Sequence, residues 1–146
     1  MSLTNAAEGS LLDLLFLNID WANIGDAGGL QNSATAGSFY ISLHSADPGE
    51  TGDQTTNEVA YTSYARVAVA RTSGGWTRTG STISNTALVQ FPQCTGGTAT
   101  ATHFGIGTSA TLAGNLILKG ALTSSLSISN GIQPQFAAGE LDASAD

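Results

Sequence analysis

Charge is what this chain has least of. Only 10% of its 146 residues are charged, well under half of the roughly 25% usual for soluble domains. Cations are scarcest: Arg66, Arg71, Arg78 and Lys119 stand against 11 acidic residues, for a formal charge of −7. These four are scattered and form no run. Neutralising phosphates takes clustered Lys and Arg, so no nucleic-acid surface is expected. The same shortage argues against docking on an anionic membrane. Cys94 is the single cysteine, so no intrachain disulfide can form and the fold must rest on packing. No stretch has the length and apolarity of a membrane span. The opening MSLTNAAEGS lacks the basic segment of a secretory signal, and no lipidation motif is visible. The expected product is soluble and made in the cytosol.

Gly, Ser and Thr stand where charges usually do. Such surfaces suit proteins largely covered by partners, and small sandwich domains share them. The 41% apolar content places the chain with globular proteins, and its length suits one domain. Near the N-terminus, Asn5 and Glu8 have the spacing of an N-cap and its N3 carboxylate. Leu11, Leu14, Leu15, Asn18 and Ile19 then cover one helical face, and Leu12, Phe16 and Leu17 make that face unusually wide. This pattern predicts a short, nearly buried helix over residues 5–18. It is either a lid over one end of a β domain or a partner-binding helix, and removal of residues 1–20 separates the two. Residues 23–37, with Gly25, Gly28 and Gly29, read as loop. Residues 1–37 thus form an N-terminal helical arm and loop.

From residue 38 the period changes from 3.6 to 2. Phe39, Ile41 and Leu43 alternate with Tyr40, Ser42 and His44, the pattern of a half-buried strand. An acidic loop follows from Ser45 to Thr62, opened by Asp47-Pro48-Gly49, which is turn chemistry. Further strands are predicted at Tyr64–Ala70, Trp76–Thr79, Thr86–Phe91, Thr100–Ile106, Asn115–Leu122, Leu126–Ser129 and Gly139–Ser144. About eight short strands with regular turns predict a mainly β fold. The expectation is a single antiparallel β-sandwich of jelly-roll type over residues 38–146, carrying the short N-terminal helix.

Catalytic groups are few. His44 and His103 lie within strands, and no G-x-S-x-G elbow accompanies them, so both read as structural and no enzyme activity is expected. Cys94 has no base or helix N-terminus marked beside it and reads as a buried, inert thiol. Asp47, Glu50, Asp53 and Glu58 offer oxygen ligands without the spacing of a calcium loop, so they read as a solvated acidic loop and no metal is expected. Thr95-Gly96-Gly97-Thr98 lacks the lysine of a phosphate cradle, and no cofactor is expected. Gly105 and Gly107, flanking Ile106, mark a bulge or a close backbone approach. The tyrosines and tryptophans suit core packing or, alternatively, a sugar platform.

Several phrases occur together in a telling order. They are Tyr40-Ile41-Ser42-Leu43-His44-Ser45-Ala46-Asp47-Pro48-Gly49-Glu50-Thr51-Gly52, Glu58-Val59-Ala60-Tyr61 and Tyr64-Ala65-Arg66-Val67-Ala68-Val69, then Ser84-Asn85-Thr86-Ala87, Phe91-Pro92, Thr102-His103-Phe104-Gly105-Ile106, Gly114-Asn115-Leu116 and Gly120-Ala121-Leu122. From about residue 39 onward the chain resembles small structural proteins of tailed bacteriophages, whose members carry labels such as tail fibre or minor structural protein. The resemblance implies a non-enzymatic virion component made in the host cytoplasm. Its length and jelly-roll-like reading resemble capsid decoration, or cement, proteins. The implied role is therefore binding on the capsid surface to the major capsid protein, with self-association as a homodimer or trimer. A tail-fibre or tail-tip component is the alternative, and a carbohydrate-binding module is a further one. Leu11, Leu14, Leu15 and Phe16, with Asp47, Glu50 and Asp53, are the expected partner contacts.

Overall fold

A computed structural model of the chain describes residues 2–145. The fold is mainly β and antiparallel, with nine strands among the described residues and one short N-terminal helix, consistent with a β-sandwich. Helix α1 spans Asn5–Leu12 and continues as a π-helical turn, Asp13–Leu17. The strands are β1 (Ser38–His44), β2 (Val67–Ala70), β3 (Trp76–Thr79), β4 (Thr82–Asn85), β5 (Val89–Gln90), β6 (Ala99–Gly107), β7 (Leu116–Ile128), β8 (Gln135–Phe136) and β9 (Asp142–Ser144). No described helix is long and apolar enough to cross a membrane. The chain divides into two compact units: Met1–Ser38, Ala70–Leu88 and Phe136–Asp146 form the first, Phe39–Val69 and Val89–Gln135 the second.

In the first unit, α1 starts one residue earlier than its sequence signal. Thr4, in extended conformation, is the N-cap and accepts from the Ala7 N–H; Asn5 already lies inside the helix. At the other end Asn18 takes the left-handed conformation that closes the π-helical turn. The Arg71 guanidinium donates to the Leu14 and Leu15 carbonyls there. A cation on the last carbonyls satisfies groups the helix leaves open and suits its negative pole. Leu12 and Phe16 point inward with Trp76, Ile83 and Leu141. Phe16 meets Trp76 edge to face at 4.7 Å. The wide apolar face is therefore core only at Leu12 and Phe16; Leu11, Leu14, Leu15 and Leu17 are half-buried, and Ile19 is exposed.

The antiparallel sheet β3-β4-β9 supplies the rest of this unit's frame. Its hub is Asn85, which is buried. Its side-chain amide donates to the Ala87 and Ala137 carbonyls, and its oxygen accepts from the Leu141 N–H, each at 2.8–2.9 Å. One side chain therefore holds the C-terminal segment onto β4.

The second unit is built on the sheet β2-β1-β6-β7. Ile41 pairs with Ile106 and Leu43 with Phe104, so these apolar side chains share one face. Phe39, Val59, Tyr61, Val69, Phe91 and Ile128 are also buried in this unit. The two strands expected at Asn115–Leu122 and Leu126–Ser129 are one strand, β7. Its register slips between Ala121 and Leu126, leaving residues 122–125 opposite Thr102 alone. Gly107 serves both roles foreseen for it: it lies at a register shift, and a Cβ there would meet Gln54 at 2.1 Å.

Burying a phenylalanine contributes about 1.5–3 kcal/mol, and the buried Trp76 Nε1, which has no hydrogen-bond partner among the described residues, subtracts about 1–3 kcal/mol. Apolar packing at this contact must outweigh that penalty. Phe16→Ala is predicted to destabilise the protein by about 3–5 kcal/mol, read as a lowered melting temperature and a red shift of tryptophan emission. Removal of residues 1–20 is predicted to abolish cooperative folding of the first unit.

Candidate assembly surface

The acidic loop 45–62 begins at a turn that its sequence dictates. The Asp47 carboxylate accepts from the Gly49 N–H at 2.8 Å, and Gly49 takes φ +76°. The Lys119 ammonium, from β7, reaches Asp47 at 3.0 Å and Glu50 at 3.1 Å. The Gly49 N–H and then Lys119 hold the Asp47 carboxyl below its ordinary range. Gly49, Glu50 and Gly52 line an open groove of about 270 Å³ with Leu116, Ile117, Leu118 and Lys119. Asp53 is used differently. Its Oδ1 accepts from the hydroxyls and N–H groups of Thr55 and Thr56, which lowers its pKa and closes a turn.

Beneath this loop, β1 is buried on both faces rather than one. Ser42 and His44, expected on the polar side, are fully buried. The reason is the loop itself, which returns along β1: Ser45 N–H donates to Asn57 O, and Val59 N–H to Leu43 O. His44 Nδ1 lies 2.8 Å from the Thr56 carbonyl, and Nε2 lies 2.8 Å from Ser42 Oγ. An oxygen acceptor at Nδ1 requires the proton there, so Nε2 accepts from the serine. Gln54, also buried, donates to Tyr40 O, accepts from the Ser109 N–H, and through its own N–H reaches Ala113 O.

The strongest polar contact is Arg66 with Glu58. The guanidinium binds both carboxylate oxygens at 2.7 and 2.8 Å and also donates to Ser109 O. The Arg66 side chain is only 3% exposed. Tyr64 donates to Glu58 at 2.9 Å and accepts from the Leu43 N–H. Burial pushes the Tyr64 phenol far above its ordinary pKa. Residues 64–66, read as strand from the sequence, lie outside the sheet, where the Tyr64 and Arg66 side chains serve this network.

The expected contact residues fall in two groups. Asp47 and Glu50 are exposed and meet at Lys119, whereas Asp53 is partly buried in its turn. In the first unit, Leu11, Leu14 and Leu15 are half-buried, and Phe16 is fully buried against Trp76, closed to any partner of the folded chain. Reasoning from sequence missed Lys119 and Arg71, which act on segments 69 to 72 positions and 56 to 57 positions away. Only the scarcity of cations could have flagged them. Cys94 is buried, and its thiol lies near the Gly96 carbonyl.

Glu58→Ala is predicted to cost about 3–5 kcal/mol, because it strands the buried Arg66 charge; chemical denaturation measures it. Burial lowers the His44 pKa below its ordinary 6.5. The unfolded chain then binds the proton first as pH falls. Stability is therefore predicted to decline from about pH 6.5 downward through the folded-state value, and His44→Gln to flatten that slope in melting curves taken between pH 7.5 and 5.

No curated protein matches the chain. A family model described as "Podophage GP4 fiber I protein gp80" matches residues 2–144, which takes in the helix, both units and the acidic loop. A chain matched over that span, and carrying the tailed-phage phrases within its buried networks, belongs to the podophage GP4 fiber I protein gp80 family of phage structural proteins.

Proposed function

We propose that this protein is a non-enzymatic structural subunit of a phage fibre, associated with the tail and fixed in the virion by protein–protein contacts. The observation that carries this reading is the family match across residues 2–144, to a protein described as a fibre component. The chemistry of the chain agrees with it. The Ser42–His44 pair has a backbone carbonyl where a catalytic carboxylate would stand, and both side chains are sealed from solvent. The acidic loop residues Asp47 and Glu50 are paired with Lys119, and Glu58 with Arg66. Three of the five tyrosines and tryptophans are packed against the structure: Trp76 and Tyr61 are buried, and Tyr64 lies between Tyr61 and Phe91; Trp21 and Tyr40 are half-buried.

Capsid decoration is the second reading. A surface with few charges that is built to be covered supports it equally, and in it the major capsid protein would be the partner. In either case the bound free energy adds to particle stability by linkage, and homo-oligomers of closed symmetry are the common form. Copy number separates the two. Densitometry of purified particles is predicted to give a few to tens of copies per virion for a fibre subunit around the tail axis; hundreds would place the protein on the icosahedral shell.

A further inference from the structure

The loop expected over residues 23–37 begins as part of a pinned hairpin. Trp21 and Leu30 exchange both backbone hydrogen bonds at 2.9 Å. Below them, the Asn18 amide donates to Ser33 O and accepts from the Ser33 N–H, each at 2.9 Å, while Asn32 donates to Asn18 O. The Asn32 N–H also meets Asp20 at 2.6 Å. At the tip, Asp26 accepts from the Gly28 and Gly29 N–H groups. Gly29 takes φ +64°, and a Cβ there would lie 2.1 Å from the Trp21 carbonyl oxygen.

On this fixed scaffold the apolar side chains face outward. Ile19 is 50%, Ile24 39% and Leu30 44% exposed, and Trp21 is half-buried beside them. Three of the eight large apolar residues left exposed among the described residues fall between Ile19 and Leu30. Single exposed apolar residues are ordinary, whereas a group of them marks a contact surface, and tryptophan is a favoured anchor in such contacts.

Charge identifies the occupant. Residues 18–33 contain Asp20 and Asp26 and no cation. Among the described residues a second copy offers them only cations already engaged: Arg66 is held by Glu58, Arg78 by Asp13, Lys119 by Asp47 and Glu50, and Arg71 by backbone carbonyls. Two copies of a chain with charge −7 also repel. We propose that the hairpin docks this protein onto a different virion protein, one with an apolar groove bordered by Lys or Arg. The groove takes Trp21, Ile24 and Leu30, and the basic border meets Asp20 and Asp26. This inference rests on the virion role proposed above.

The test uses the full chain and, as probe, virion particles assembled without it. Wild type and a Leu112→Ser/Ile132→Ser control are expected to sediment with the particles, and to do so less as salt rises. Ile19→Ser/Ile24→Ser/Leu30→Ser is expected to attach at least about tenfold more weakly with an unchanged melting temperature. If that variant melts early, Ile24→Glu at the exposed tip decides, with the same loss expected. Equal attachment of the variants and wild type, attachment indifferent to salt, or dimerisation of the free protein that the hairpin variants abolish would each overturn the proposal. Failure of wild type itself to attach would overturn the virion role, and this inference with it.

Discussion

Backbone polar groups buried away from water need partners, and a chain whose strands are mostly two to nine residues long leaves many of them in loops. Here a few buried side chains meet that need. Asn85 ties Ala137 and Leu141 to β4 in the first unit. In the second, the Gln54 side chain joins Tyr40 and Ser109, with its backbone N–H on Ala113 O, and Arg66, paired with Glu58, donates to Ser109 O. With a single cysteine in the chain, these contacts do the stapling that disulfides do in many small domains. Each is costly to break, because a buried group left unpaired keeps its full desolvation penalty.

The same constraint explains the scarcity of charge. All four cations are engaged inside the chain, three with carboxylates and Arg71 with helix carbonyls. The rest of the surface carries small polar residues, acids and exposed apolar side chains such as Leu30 and Leu112. Such a surface accords with membership of a phage fibre family. The phrases that resemble tailed-phage proteins are largely those that build the networks: Glu58, Tyr64 and Arg66 in one, and Asn85 in another.

Strands with strict alternation and buried apolar residues were legible. β1, β3 and β6 fall at the places read as strands, β1 from the alternation of Phe39, Ile41 and Leu43 with polar neighbours. β4 and β8 were not legible. Thr82–Asn85 carries one large apolar residue, Ile83, and Gln135–Phe136 is only two residues long; β4 folds back on β3 through the Gly80-Ser81 turn and takes β9 on its other edge, while β8 depends on the distant β5. The helix was legible as a helix but its cap was misplaced by one residue, since Thr4 and Asn5 are both competent caps and only the backbone turn selects between them.

Local pattern was enough to establish a mainly β, antiparallel chain with a short N-terminal helix and an acidic turn at Asp47-Pro48-Gly49. These follow from composition and from neighbours a few residues apart. Tertiary structure alone decided which distant groups would pair: Lys119 with Asp47 across 72 positions, Arg71 with Leu14 across 57, Asn85 with Leu141 across 56. It likewise sealed His44, buried Phe16 against Trp76 and left Trp21 and Leu30 on an outward hairpin. Sequence spacing carries no record of such pairings, because chain topology and not local propensity brings their members together.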